Sequence, residues 1–506
     1  MNKFKDAILY LGKNPQITMP LIILFWGIYY FFNGAVINVS NGLGYDGEYY
    51  AEITKHFYSL VFHNKLEFYI IQRIFPLFVV NSILTIFEIP KEDFFIVKVF
   101  QIYNLTLLVL CSVIWYRIAK IYKFDLKLLW IGFIFCFVNF GIGKHTLYYP
   151  ILTDPTAFFL GFCLLYFHIK DNLIGKVITT FLGAFTWPTF IYMGIMMIIF
   201  PKNFKTKNIS GTGVSANKYL AFIIPLPFLI MALYYINKYF ISGSLYGGYQ
   251  EVLIQIIPSL LYISSVLNFL VMSYFFFIFL PANLPFSKYF QFLKEILFSI
   301  KIKNVLICIL LFTIVNVFQK YFSSEFDQGE KFLQIIYWVS FLKSCSKPLV
   351  YIITAITYFG PFFIILFFNL KNFKSHLKNL GIGVYLSFII AAMLMFESNP
   401  REIINFVPFI VLLTVLVLKD LSIQKNLFIL LTIFSLILSK FYLPIFIDTS
   451  TLEKCFQFPT QFYFMNSYQL SIVSYYIQGI LIILMTIFVL IAIRKNKSVD
   501  NGTKDY

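Results

Sequence analysis

Long apolar runs separated by short polar segments dominate the pattern of this chain. A transmembrane helix needs about 20 apolar residues, and fewer when it is broken or packed inside protein. The pattern therefore predicts an all-α, polytopic transmembrane helical bundle of about 12–14 spans. The candidate spans are 17–34, 95–117, 127–142, 155–169, 174–184, 187–200, 219–238, 258–280, 304–318, 348–369, 380–396, 403–419, 427–440 and 472–493. Because Pro188 lies where two of them meet, 174–184 and 187–200 are predicted either as two short helices or as one kinked span.

The long segment 35–94 separates the first two candidate spans. Its part 68–87 is apolar enough to span, but counting it would place the basic stretch 117–127 outside the cell. We therefore predict that 68–87 lies in the membrane interface or is re-entrant, within an outer-face first loop that carries short helices. Residues 1–493 are predicted to form one transmembrane domain, followed by a polar, disordered cytoplasmic tail at 494–506.

The composition excludes a water-soluble protein. Hydrophobic residues make up 59% and charged residues 12% of the chain, and a soluble domain has roughly 25% charged residues. A soluble enzyme, a disordered scaffold and a secreted disulfide domain are therefore ruled out. The first apolar run, 17–32, has no small-residue cleavage site after it, so we expect it to remain as a span.

The net charge of +17 indicates membrane topology rather than nucleic-acid binding, because the lysines fall mostly in short loops. If the candidate spans alternate in direction, the basic clusters all face one side, which the positive-inside rule makes cytoplasmic. These clusters lie at 3–13, 117–127, 202–218, 288–303, 371–378 and 494–497. The sequence therefore predicts a multi-pass protein of the cell (inner) membrane with both termini cytoplasmic, and with 35–94, 143–154 and 397–402 outside.

Two carboxylates, Asp46 and Glu48, lie just past the first span in the motif Gly44-Tyr-Asp-Gly-Glu-Tyr-Tyr50. An acid at this position can accept a proton from an incoming hydroxyl group. A tyrosine such as Tyr45 can stack on a sugar or lie at the level of the lipid headgroups. The alternative is an ordinary interfacial loop with solvated acids and an aromatic belt, and both interpretations stay open here.

The loop 144–155 supplies a second group of candidates, Lys144, His145, Tyr149 and Asp154. Lys144 is predicted on the outer side, although most lysines are predicted on the cytoplasmic side. A cation at the outer membrane surface could bind an anionic lipid headgroup. Asp154 precedes Pro155 at the start of a span, so it is either the N-cap of that helix or a second acid of the site.

Arg73 and Arg401 are the two arginines predicted outside, each at the edge of an apolar helix. A guanidinium binds phosphate through two parallel hydrogen bonds. The alternatives are snorkelling to the interface, or a salt bridge such as Arg401 with Glu397.

The chain contains no HExxH, GxxxxGK[ST] or GxSxG motif, which would indicate a zinc peptidase, a nucleotide-binding loop or a serine hydrolase. No metal site is predicted. No cofactor is expected to be required, and a divalent metal is left open.

The order of the motifs resembles that of bacterial polytopic glycosyltransferases of the GT-C superfamily. One span is followed by the motif at 44–50, then by Arg73-Ile-Phe-Pro-Leu77, then by Tyr148-Tyr-Pro-Ile-Leu-Thr-Asp-Pro155 before the next span. These motifs cover residues 1–200, and the second half matches only in general layout.

The resemblance implies a GT-C-like fold, a polyprenyl-phosphate-linked sugar as donor on the outer face, and Asp46 in the place of the catalytic base. It also implies Asp154 as a second acid of the cavity and Arg73 and Arg401 as candidates for the lipid phosphate. Glu48 departs from the family pattern, where glutamine or another polar residue is more common, so the choice between the two acids stays open.

The sequence thus predicts an enzyme, an inverting glycosyltransferase that moves a hexosyl or pentosyl group from the lipid-linked donor. Asp46 would deprotonate the acceptor, while Arg401, Arg73 and Lys144 would stabilise the departing phosphate. The predicted partners are the lipid-linked sugar donor, a glycan, lipid or protein acceptor and the bilayer, with no nucleic acid. The alternatives are a transporter or flippase of lipid-linked saccharide and a membrane glycan polymerase. Transporters often carry charges near the midplane and internal repeats, whereas the charges here gather at one surface.

Overall fold

The computed structural model describes residues 12–63, 65–202, 217–242, 258–280, 294, 296–298, 300–324, 344–396, 399–443, 445 and 470–502. Throughout these residues the regular secondary structure is helical, and one isolated bridge pairs Leu66 with Ser323. The predicted Glu397 lies outside the described residues.

Helices occupy most of the described residues, and a 3-10 helix, Pro400–Phe406, precedes α20. In chain order they are α1 (Pro15–Asn33), α2 (Tyr45–Lys55), α3 (Phe57–Phe62), α4 (Phe68–Ile71), α5 (Ile74–Ile86), α6 (Asp93–Ile121), α7 (Leu126–Phe137), α8 (Phe140–Tyr148, π-helical over Phe140–His145), α9 (Asp154–Ile169), α10 (Leu173–Ala184), α11 (Phe190–Ile199), α12 (Asn217–Ile223), α13 (Leu226–Ser242), α14 (Leu261–Phe279), α15 (Ile302–Phe322), α16 (Val350–Phe359), α17 (Phe362–Phe368), α18 (Leu370–Leu380), α19 (Ile382–Met395), α20 (Val407–Asp420), α21 (Lys425–Ser439) and α22 (Ile472–Gly502).

Six helical segments within the described residues are long and apolar enough to cross a membrane. Together, α7 and α8 can form a seventh, bent by 56°. This confirms the predicted all-helical, multi-pass membrane protein. Every candidate span contains a helix, but the remaining helices are shorter than the roughly 20 residues of a full span, so the predicted count of 12–14 crossings stays a prediction. The six segments are α1, α6, α14, α15, Pro400–Asp420 and Ile472–Lys495.

Several candidate spans are interrupted where the local sequence cannot continue a helix. The span 219–238 divides into α12 and α13 at Pro225, and 348–369 divides into α16 and α17 at Gly360 and Pro361. Gly360 has φ 105° and ψ −174°, a backbone conformation that is essentially restricted to glycine. Pro188 lies between α10 and α11, so the alternative of two short helices is confirmed there. Helix α22 continues to Gly502, so the tail predicted to be disordered from residue 494 begins as helix, because extending an existing helix costs little.

The segment 35–94 carries the short helices that the sequence predicts, α2 to α5. Its apolar part 68–87 is two helices, and the break between α4 and α5 falls at Arg73. Arg73 has φ −126° and ψ 8°, so the chain changes direction at this residue. The break turns the arginine side chain inward, and Arg73 is only 3% exposed.

Helix α6 is the axis around which the first half of the chain is arranged. It has 29 residues, which at 1.5 Å per residue gives about 43 Å. Helix α1 runs antiparallel to it: Lys98 Nζ donates to the Phe31 carbonyl at 2.9 Å near one end, and Tyr116 Oη donates to Gln16 Oε1 at 2.7 Å near the other.

The two ends of α6 differ in the charges that surround them. At its start, Asp93 pairs with Lys55 of α2 at 2.8 Å. At its far end, Lys419 donates to the carbonyl of Tyr122 at 3.4 Å. The lysine-rich α18 also lies far from the start of α9, because its last residue accepts a hydrogen bond from His168 near the end of α9. The basic clusters 117–127 and 371–378 therefore lie at helix ends opposite to those that carry α2 and Asp154.

Gly161 of α9 lets the 3-10 helix Pro400–Phe406 approach closely. A Cβ at this glycine would lie 2.2 Å from the Asn405 carbonyl oxygen and 3.0 Å from its carbonyl carbon. These are backbone atoms, so they cannot turn aside as a side chain can. Since Arg401 belongs to the same 3-10 helix, this contact also sets the position of that arginine relative to α9.

We predict that Gly161→Ala destabilises the protein by about 1–3 kcal/mol, because overpacking forces the backbone apart. Thermal unfolding of purified protein in detergent, followed by the loss of the monodisperse chromatographic peak, measures the effect. Gly479→Ala is the matched control, because a Cβ there would meet Ile353 Cδ1 at 3.4 Å, an ordinary contact. Equal unfolding temperatures for Gly161→Ala and the unmodified protein would contradict this packing.

Candidate functional site

A buried ion pair joins the start of α9 to the 3-10 helix Pro400–Phe406. Arg401 Nε donates to Asp154 Oδ1 at 3.0 Å, and Arg401 Nη2 donates to Asp154 Oδ2 at 2.8 Å. Asp154 is 1% exposed and Arg401 is 8% exposed. Two parallel hydrogen bonds between a guanidinium and a carboxylate are both strong and directional. The pair therefore holds together two segments that are far apart in the sequence.

The prediction that Asp154 is an N-cap is wrong. The N-cap position of α9 is Thr153, and no side chain caps this helix end. The Asp154 carboxylate instead turns to Arg401, since an ion pair in a buried place outweighs a single bond to a backbone amide. The alternative partner Glu397 is outside the described residues.

Arg73 is a second buried guanidinium close to this ion pair. Its Nη1 donates to Thr153 Oγ1 at 3.2 Å, and its Nη2 donates to the hydroxyl of Tyr69, whose ring centroid lies 4.6 Å from Arg73 Cζ. Among the described residues, no carboxylate lies within ion-pair distance of Arg73, and its Nε has no hydrogen-bond partner. Glu402 is near enough to act on Arg73 electrostatically. Arg73 thus differs from Arg401, because it retains a free donor.

The indole of Trp187 packs against both guanidinium groups. Its ring centroid lies 4.6 Å from Arg73 Cζ and 5.7 Å from Arg401 Cζ. The ring is fully buried, and Trp187 Nε1 donates to the Glu402 carbonyl at 3.2 Å. An aromatic face attracts a cation, so one ring stabilises two like charges near each other. Trp187 is not among the site residues that the sequence predicts. It lies at the start of a candidate span, and its position at the break beside Pro188 is the signal that could have indicated it.

Helix α2 brings Asp46 to this cluster. The N–H of Gly47 donates to the Tyr149 hydroxyl at 3.2 Å. Gly44 has φ 74° and packs against the Tyr149 ring, so that a Cβ at this position would lie 2.5 Å from ring carbons. Only glycine fits both the left-handed backbone and this close approach. The exposed Asp46 then lies near enough to act electrostatically on Tyr50, Tyr149 and Arg401.

The tyrosines between Asp46 and the arginines are strongly perturbed. Burial raises the pKa of Tyr50 to about 12, and the positive charge of Arg73 pulls that pKa back down. Burial and the carboxylate of Asp46 raise the pKa of Tyr149 well above its ordinary value. Both phenols are therefore neutral at physiological pH and can serve as hydrogen-bond donors.

The structure separates the two acids that the sequence left equivalent. Two residues along an α-helix are about 200° apart around its axis, and Glu48 accordingly faces away from Arg73 and Arg401. Its Oε2 accepts a hydrogen bond from Ser40 Oγ at 3.1 Å. Tyr45 lies on the same side of α2 as Glu48. Of the predicted pair, Asp46 is the acid whose charge acts on Arg401.

Gly42, Gly44 and Gly47 also match the spacing GxGxxG. That motif binds dinucleotides only where it follows a strand and opens a helix. In the described residues a 3-10 turn, Ser40–Gly42, precedes α2 instead of a strand. The glycines serve the packing of α2, and the match indicates no nucleotide site.

Lys144 and His145 have different surroundings. The Lys144 ammonium donates to the carbonyl oxygens of Lys440 and Leu443. It therefore supplies hydrogen bonds to backbone carbonyl groups just past α21, and it forms no ion pair with Asp46 or Asp154. His145 is 1% exposed, and its ring packs 6.0 Å from that of Tyr149 and 6.0 Å from that of Tyr358. The structure therefore brings His145 to the rim of the arginine cluster, and it does not bring Lys144 there.

Within the part of the chain that the structure describes, no three His, Cys, Asp or Glu side chains lie close enough to hold a metal ion. Comparisons of the chain with protein-family models, with curated proteins and with solved structures found no match. The fold and the site together define an all-helical, multi-pass membrane protein with a buried cluster of two arginines, one tryptophan and one aspartate. The resemblance to GT-C glycosyltransferases rests on the short motifs alone.

The two arginines differ in their need for a counter-ion, which predicts opposite effects on stability. Asp154→Asn leaves Arg401 buried without its carboxylate and should destabilise the protein by about 3–5 kcal/mol. Arg73→Gln removes a buried cation that has no ion pair, so we expect unfolding at an unchanged or higher temperature. Thermal unfolding in the same detergent compares the two variants. A large loss of stability in Arg73→Gln would show that Arg73, like Arg401, is a structural partner.

Proposed function

We propose that this protein is an integral-membrane glycosyltransferase with a GT-C-like fold that uses a polyprenyl-phosphate-linked sugar. The observation that carries the proposal is Arg73, a buried guanidinium with an unpaired Nε and no carboxylate partner among the described residues. Burying a cation without a counter-ion is costly. An anionic ligand would supply the missing charge, and a phosphate ester matches guanidinium geometry.

In this proposal the two arginines have different tasks. Arg401 is already bound by Asp154 through two hydrogen bonds, so it contributes mainly to position and to the local field. Arg73 binds the phosphate of the donor, and Trp187 and Thr153 keep its guanidinium in place. A positioned cation stabilises negative charge as that charge develops on the leaving phosphate.

The reaction we propose is a single displacement with inversion. The acceptor hydroxyl oxygen attacks the anomeric carbon, and the bond from that carbon to the phosphate oxygen breaks, with its electron pair leaving on the lipid phosphate. Asp46 takes the hydroxyl proton, as a general base does. Asp46 suits this task because it is solvent-exposed and its charge acts on Arg401. The donor is membrane-bound, so no nucleotide-binding domain is needed.

A transporter of lipid-linked saccharide is the second candidate, and it would use the same arginines to bind phosphate. Transporters place their ionisable residues near the middle of the bilayer. Here the Asp154–Arg401 pair lies at the start of α9, at the end opposite to the one that contacts the lysine-rich α18. This position near one surface favours transfer over transport. It does not distinguish a glycosyltransferase from a glycan polymerase, because a polymerase would have the same groups at the same surface.

The experiment measures donor binding and transfer separately in purified protein with a polyprenyl-phosphate sugar. Asp46→Asn should keep donor binding and lose at least about a hundredfold in transfer rate, the low end of the contribution of a general base. Arg73→Lys keeps the charge but loses the forked geometry, so donor binding should weaken by about 1–3 kcal/mol.

Glu88→Gln is the control, because Glu88 is an exposed carboxylate at the end of α5. Its rate and donor binding should equal those of the unmodified protein. Full loss of transfer in Glu48→Gln together with normal transfer in Asp46→Asn would reverse the roles of the two acids. Donor binding without any transfer by the unmodified protein would favour the transporter.

The proposal also places the protein in the cell (inner) membrane, with the site extracytoplasmic and both termini cytoplasmic. Residues 88 and 123 lie just beyond opposite ends of α6, and both are exposed. In a cysteine-free background, an impermeant thiol reagent should label Glu88→Cys in intact cells, and Lys123→Cys only after the cells are permeabilised. The reverse labelling pattern would overturn the orientation, and with it the assignment of an outer-face donor.

A further inference from the structure

An open groove of about 560 Å³ lies on the side of α2 that faces away from the arginines. Tyr45, Glu48, Tyr49 and Glu52 form its wall on α2, at the spacing that places side chains on one helix face. Tyr45 is 39% exposed and Tyr49 is 42% exposed, so both rings can be reached from solvent. Asp93 at the start of α6 also lines the groove. The groove therefore combines two accessible aromatic rings with a line of carboxylates.

The groove is negatively charged, whereas the arginine cluster is positively charged. Among the residues that line the groove, Glu48, Glu52 and Asp93 are accompanied by one lysine, Lys55, which pairs with Asp93 at 2.8 Å. Outside the lining, the ring of His56 lies 3.6 Å from Glu52. The excess of carboxylates repels a phosphate or another anion. Aromatic rings offer apolar faces, and carboxylate oxygens accept hydrogen bonds from hydroxyl groups. An uncharged saccharide satisfies both kinds of surface. A metal ion fits less well, since these acids do not form a group of three that could hold one.

Asp46 lies on the border between the groove and the arginine cluster. It is three residues before Tyr49, and residues at this spacing are neighbours on a helix surface, about 5–6 Å apart at Cβ. Asp46 also acts electrostatically on Tyr50 and Arg401 on the other side of α2. A sugar stacked on Tyr49 would thus have a hydroxyl within reach of Asp46.

We propose that this groove binds the acceptor substrate, and that the acceptor presents an uncharged saccharide to Asp46. This inference rests on the proposed glycosyltransferase function. Helix α2 would then separate an anionic groove for the neutral acceptor from the arginine cluster that binds the donor phosphate. The division would keep the lipid phosphate out of the acceptor position.

The test uses full-length protein in detergent and a panel of neutral methyl glycosides, with the matching uronic acid and sugar phosphate as charged probes. Saturation-transfer NMR should detect binding of at least one neutral glycoside, and of neither charged probe. The double variant Tyr45→Ala/Tyr49→Ala should lose that binding. Tyr58→Ala is the matched control, because Tyr58 is 56% exposed on α3 and does not line the groove. In the transfer assay the double variant should raise the acceptor KM at least about tenfold, while donor binding is unchanged.

The outcomes separate this inference from the proposed function. Transfer with an unchanged acceptor KM in the double variant would overturn the groove and leave the transferase standing. Glycoside binding that depends on Tyr45 and Tyr49, without transfer by the unmodified protein, would support the groove and count against the transferase. No glycoside binding by the unmodified protein, equal binding by the double variant, or preference for the charged probes would overturn the inference.

Discussion

The burial of guanidinium groups in an otherwise apolar helical bundle is the constraint on which the arrangement of this protein depends. A buried arginine is tolerated only where other groups compensate its charge and its hydrogen-bond donors. Arg401 meets this condition through Asp154, and the two are 247 residues apart in the sequence. Their pairing, together with the close contact at Gly161, fixes how the second half of the chain packs on α9. The compensation of Arg73 is incomplete, and that difference is the basis of the proposed donor site.

Trp187 contributes an attraction to both arginines that the arginines themselves cannot supply. A single indole attracts two cations that would otherwise repel each other, and its N–H anchors the ring to the Glu402 carbonyl. The break between α10 and α11 at Pro188 is what allows the ring to enter the cluster from a chain position between two helices. The interruption of a predicted span is therefore a structural feature of the site.

Helix α2 organises the charges on the surface of the cluster. Its period of 3.6 residues puts Asp46 and Tyr50 on the side of the arginines, and Tyr45, Glu48, Tyr49 and Glu52 on the other side. The glycines on either side of Asp46 let the helix dock on Tyr149 without a gap. A short amphipathic helix can in this way place a carboxylate between a cationic cluster and an anionic groove.

The sequence alone determined the helices and much of the candidate list. Hydrophobic run length is a local property, so each candidate span contains a helix, and the short helices of 35–94 follow from its turns and apolar stretches. The sequence also indicated Asp46, Asp154, Arg73 and Arg401. It could not assign partners to them, because a contact between residues 154 and 401 or 187 and 402 leaves no trace in the local pattern. Only the tertiary structure therefore showed that Asp154 binds Arg401 instead of capping α9, that Lys144 is occupied by carbonyl groups, and that Trp187 lies between the two arginines. The separation of Asp46 from Glu48 needed both: the helical period could be derived from the sequence, but the side of α2 that faces the arginines was decided by packing.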